Sequence, residues 1–78
     1  MNEIFNREWE LFLEQIPDGY TPCFAHASLC GVCTIYAKEL GVKQGDIHFY
    51  RIHLYNVDLA MEAERFFDEK IAEFREVK

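Results

Sequence analysis

The sequence predicts an α/β fold in the order α-β-α-β-α, with a βαβ unit and parallel strands. Three observations carry this. Apolar residues recur at helical spacing near the N-terminus and again in the last third. Two low-charge stretches, Tyr20 to Ser28 and Ile47 to Tyr55, read as extended. Between them, Cys30 to Leu40 ends on a glycine, as a helix does. Strand, helix and strand in succession imply parallel strands joined by a right-handed crossover.

Each element has its own warrant. In residues 2–16, Phe5, Trp9, Phe12 and Ile16 share one helical face, with Ile4 and Leu13 alongside; Pro17-Asp18-Gly19 stops that helix. Pro22 lies near the start of the first strand, where a missing N–H is tolerated, and Cys23 to Ala27 is low in charge, as in a strand covered on both faces. In the helix expected over 30–40, Lys38 suits the negative end of the dipole and Gly41 stands at the left-handed cap position. Gln44-Gly45-Asp46 is a turn, and IHFYRIHLY is the clearest strand. Asp58 is placed to cap a last helix carrying Ala60, Ala63, Phe67, Ile71 and Phe74 at helical spacing.

The 78 residues make a single domain, 1–78, near the lower size limit for independent stability. A net charge of -6 argues against a nucleic-acid partner, because phosphate backbones are repelled. Glu3 and Arg7 interrupt the start and no apolar h-region follows, so no signal peptide is expected, nor a membrane span; the expected compartment is cytoplasmic. Two parallel strands form a narrow sheet, so either a homodimer extends it or the terminal helices cover it closely.

All three cysteines lie within CFAHASLCGVC. On the expected fold, Cys30 stands at a strand-to-helix junction, where free N–H groups and the dipole favour a thiolate. Cys33, three residues on, shares that helix face, close enough for a disulfide. Cys30 is then the attacking thiol and Cys33 the resolving one. Read as C-x2-H-x3-C-x2-C, the same run offers Cys23, His26, Cys30 and Cys33 as alternative zinc ligands. In a regular strand, however, Cys23 and His26 point to opposite faces. Zinc therefore requires an irregular 23–29 loop, or ligands such as His48 or His53. Cys23 otherwise reads as a small buried hydrophobe, and His26 as a histidine near enough to tune the dithiol.

The stretch CFAHASLCGVCTIYAKEL resembles the active-site segment of thioredoxin-like proteins, closest to the small bacterial or phage-type variety with an LCGxC segment. IHFYRIHLYN with Val57-Asp58-Leu59 resembles that family's central strand and following turn. The resemblance covers roughly residues 20–65. It implies a reduced thioredoxin-like fold, with Cys30 and Cys33 as catalytic dithiol and Gly31 and Val32 as the dipeptide that tunes its potential. The chain departs from the family in having no proline after Pro22, hence no cis-proline segment, and in carrying Phe24 where many thioredoxins bury an acid. The implied function is thiol–disulfide exchange on a protein substrate, with no cofactor beyond the redox disulfide. The alternatives are a non-catalytic protein-binding or inhibitor module of that fold and a zinc-stabilised interaction domain.

Overall fold

A computed structural model describes residues 2–76. Helix α1 (Asn2–Gln15) is followed by strands β1 (Tyr20–Ala27), β2 (Val32–Glu39) and β3 (Ile47–His53), and then by helix α2 (Val57–Glu76). The strands form one sheet in the order β1-β2-β3, each antiparallel to its neighbour. This corrects the parallel, thioredoxin-like α-β-α-β-α expectation. The segment 32–39, expected as a helix, is the central strand of a meander. The reason lies in the pattern: Val32, Thr34, Ile35 and Tyr36 are β-branched or aromatic, and alternation puts Cys33, Ile35 and Ala37 on one face with no exposure at all. A helix over the same residues would keep Cys33 and Ala37 together but send Ile35 to the opposite side.

Both helices pack on that face. From α1 come Phe5, Trp9 and Phe12; from α2 come Ala63, Phe67 and Ile71; the sheet supplies Ala25, Cys33, Ile35, Ala37 and Ile52. Phe67 lies 6.0 Å from Phe5 and 6.2 Å from Trp9, centroid to centroid, so aromatic rings fill the space between the helices. Ala25, Ala60 and Ala63 are small enough to let α2 lie close to the sheet.

The chain turns where its chemistry permits. Gly19 (φ 89°) ends the Pro17-Asp18-Gly19 turn, closed by Tyr20 N–H donating to the Pro17 carbonyl. At α2, the Leu59 N–H donates to Asn56 Oδ1 at 3.0 Å, so Asn56 caps the helix; Asp58, expected in that role, lies in its first turn, where a carboxylate also suits the dipole. Strand β1 is bulged at Cys23, where the register shifts between Pro22 and Phe24.

Candidate functional site

The CGVC run begins in a hairpin turn and ends in β2. Gly31 N–H donates to the Ser28 carbonyl at 3.2 Å and Ser28 N–H to the Val32 carbonyl at 2.8 Å, which encloses Leu29, Cys30 and Gly31 in a three-residue loop. Ser28 Oγ also accepts from the Cys30 and Val32 N–H groups. Gly31 is buried with φ 82°, and its carbonyl accepts from both Leu54 (2.9 Å) and Tyr55 (3.0 Å). A side chain there would run into the Asn56 nitrogen and come within 2.9 Å of the Tyr55 carbonyl carbon. Gly31 is thus a structural clasp between the β1–β2 turn and the entry to α2.

The two cysteines of the motif occupy different environments. Cys30 is exposed on the turn; Cys33 is buried beneath α2. Burial, reinforced by Glu64 and Asp68, pushes the Cys33 thiol up from 9.0 to about 12, the opposite of what a resolving thiolate needs. No helix begins at Cys30, so the dipole argument for a reactive thiolate there has lost its basis. Val32 starts β2 as a partly buried strand residue.

The alternative zinc set is spread over the fold. Cys23 sits at the β1 bulge and its Sγ–H donates to the Tyr36 carbonyl at 3.3 Å; His26 is exposed on the face away from the helices; Cys30 is on the turn; Cys33 is on the helix side. Among the described residues, no group of three or more His, Cys, Asp or Glu side chains is arranged to hold a metal.

Among the described residues, nothing forms a covering layer on the sheet face opposite the helices. Strand parity and register place Phe24 and His26 of β1, Val32, Thr34, Tyr36 and Lys38 of β2, and Ile47, Phe49, Arg51 and His53 of β3 on it. Phe24, Tyr36 and Phe49 are direct cross-strand neighbours, forming an aromatic row across all three strands. Phe24 stacks on Tyr36 at 4.3 Å and 12°, and Tyr36 lies 6.3 Å from Phe49. The Arg51 guanidinium covers the Phe49 ring at 4.6 Å. Phe24 and Phe49 remain about half exposed, at 49% and 48%, and Ile47 adds 58%. Around this row stand Lys38, Arg51, His26 and His53, and no carboxylate among the described residues, although the chain holds 14 Asp and Glu. Those acids belong to the helices, the turns and the end of β2.

Sequence reading did not identify this face, because reading 30–40 as a helix removes Tyr36 from between Phe24 and Phe49. The signal was present: β-branched residues run through VCTIYA, and a Ser-x-x-Gly turn precedes them.

The two edges of the sheet also differ. Ser28 N–H to Val32 carbonyl fixes the alternation of the β1–β2 ladder, so Ala25 and Ala27 turn their backbone groups outward. Helix α2 meets them: Glu64 Oε1 accepts from Ala27 N–H at 2.6 Å, Asp68 accepts from Ala25 N–H, and Arg75 donates to the Cys23 carbonyl at 3.3 Å. The β1 edge is closed by side chains; β3 forms the other edge. No helix among the described residues is long and apolar enough to cross a membrane. No family model, curated protein or solved structure matches this chain, so nothing in these comparisons identifies it with the thioredoxin-like family.

Proposed function

We propose that the chain is a non-catalytic protein-binding module whose open sheet face receives an acidic amphipathic helix. The observation that carries this is the charge segregation around the aromatic row: Lys38, Arg51, His26 and His53 flank Phe24, Tyr36 and Phe49, with no carboxylate on that face among the described residues, in a chain of net charge -6. A docked helix would give the sheet on this side the layer that α1 and α2 supply on the other. Acidic residues on the visiting helix complement the rim charges and steer its approach.

The ring geometry favours a protein over single-stranded nucleic acid. Base stacking needs a free π-face, and here Phe24 and Tyr36 each cover one face of the other and Arg51 covers one face of Phe49, which leaves less ring face for a base. What the row offers is ring edges and apolar area, suited to Leu, Ile or Met side chains. A cytoplasmic setting fits three cysteines that carry free thiols.

The probe is a synthetic helical peptide with Leu at i, i+3, i+4 and i+7 and Glu on its remaining faces. Titrated into the isotope-labelled chain, it is expected to shift the resonances of Phe24, Tyr36, Phe49 and Arg51. Affinity should fall with added salt and drop about tenfold or more when Lys replaces Glu in the peptide. Shifts confined to α1 and α2, no binding, or tighter binding of oligothymidylate would overturn the proposal.

A further inference from the structure

We propose that the β3 edge is a self-association surface, pairing antiparallel with β3 of a second copy to give one continuous six-stranded sheet. Three observations lead there, independent of what docks on the open face.

The first is the difference between the edges. Strand β1 has its outward backbone groups engaged by Glu64, Asp68 and Arg75 of α2. Strand β3 has no such cover. Leu54 N–H donates to the Gly31 carbonyl and Glu39 N–H to the Asp46 carbonyl, one at each end of the β2–β3 ladder, and these fix its alternation. His48, Tyr50 and Ile52 therefore turn their backbone groups towards β2. Ile47, Phe49, Arg51 and His53 turn theirs outward, where they meet no hydrogen-bond partner among the described residues. An unblocked edge of this kind is a template for another strand.

The second is charge. A chain of net charge -6 meets its own copy most easily at its least acidic border. Strand β3, IHFYRIH, holds Arg51, His48 and His53 and no acid. Because α2 lies along the β1 edge, pairing through β3 leaves the two α2 helices, with half of the 14 acidic side chains, at the far ends of the joined sheet, while Glu8 of α1, the acid that meets β3, is engaged by the Tyr50 hydroxyl on the helix side.

The third is self-complementarity. A two-fold axis perpendicular to the sheet keeps both open faces on the same side and places each residue opposite one of like parity. Centred on Tyr50, the register pairs all of Ile47–His53. Phe49 then faces Arg51 of the second copy, and Ile47 faces its His53; these are the residues whose backbone groups point outward and can exchange hydrogen bonds. The Phe49–Arg51 contact across the axis repeats in trans the 4.6 Å cation–π contact that each copy already makes. The two aromatic rows come to lie on one doubled face.

Sedimentation velocity and amide hydrogen exchange on the intact chain, compared between about 10 μM and about 1 mM, test this over the affinity range of a modest interface. The expected result is a monomer–dimer equilibrium in which the Phe49 and Arg51 amides gain about tenfold protection as the dimer fills. Arg51→Pro removes one outward N–H and leaves the β2 ladder its donors, so it should weaken dimerisation by about tenfold or more. A chain that stays monomeric throughout overturns the proposal, as does a dimer whose Phe49 and Arg51 amides remain unprotected. The exchange measurement needs no variant, so the test stands even if Arg51→Pro fails to fold.

Discussion

The two faces of β2 stand under different surroundings. On one, Cys33, Ile35 and Ala37 are sealed beneath Phe12 and Phe67; on the other, Tyr36 stands between two half-exposed phenylalanines. What distinguishes them is the layer above: two helices cover the first face and none among the described residues covers the second. The energetic contrast should be large. Phe67→Ala removes a fully buried ring contacting Phe5, Trp9 and Phe66, and is expected to cost about 3–5 kcal/mol in urea denaturation. Phe49→Ala removes a half-exposed ring and should cost about 1 kcal/mol or less while abolishing binding of the acidic peptide. Equal losses of stability from the two variants would mean that the second face is not open.

A similar contrast holds between two glycines of positive φ. Gly19 (φ 89°) has open space where a side chain would stand, whereas Gly31 (φ 82°) is packed against the backbone of Tyr55 and Asn56. Gly19→Ala should therefore cost only the left-handed backbone term, about 1–2 kcal/mol. Gly31→Ala adds a collision with main-chain atoms that cannot move without breaking the Leu54 and Tyr55 hydrogen bonds to the Gly31 carbonyl; about 3 kcal/mol or more is expected by the same denaturation measurement. A Gly31→Ala chain as stable as Gly19→Ala would remove the clasp between hairpin and helix from the account.

That glycine also shows how far the fold was legible in the sequence. Helical spacing reported α1 and the body of α2 directly, because in both the apolar stripe at i, i+3, i+4 and i+7 is what packs on the sheet. Strands β1 and β3 were legible from low charge and from aromatic and β-branched content. Strand β2 was misread. Cys30 and Cys33 are three apart and Gly41 follows Leu40, signals that a helix and a strand-plus-turn share. What separates them is that Ser28 and Gly31 build a three-residue turn, too short for a crossover, which forces the next strand to be antiparallel. With that strand misplaced, the parallel sheet and the strand-to-helix junction expected at Cys30 both followed from one wrong period, and the aromatic row stayed hidden. Nothing local could reveal the closure of the β1 edge, since Glu64 and Asp68 find Ala27 and Ala25 across 37 and 43 positions of chain.

The smallest expected effect lies at that closed edge. Burial, with Glu64 pushing the same way, raises the Asp68 carboxyl above its ordinary 3.8, against the lowering influence of the Ala25 N–H. The folded chain therefore holds this proton to a higher pH than the unfolded chain does. Unfolding releases it in that window, so this group's contribution makes stability fall as pH rises from 3.8 through the raised value, and leaves it flat above. Asp68→Asn keeps a carbonyl acceptor for Ala25 and deletes the charge, so the slope should vanish and the variant should gain about a few tenths of a kcal/mol above the window, small because the carboxylate is largely solvated. Asp68→Ala removes the acceptor as well. Its Ala25 amide should then exchange about as fast as those of Phe49 and Arg51 in the dilute chain, making the two edges alike. If Ala25 stays protected in Asp68→Ala, the edge is shielded by the bulk of α2 rather than by this carboxylate.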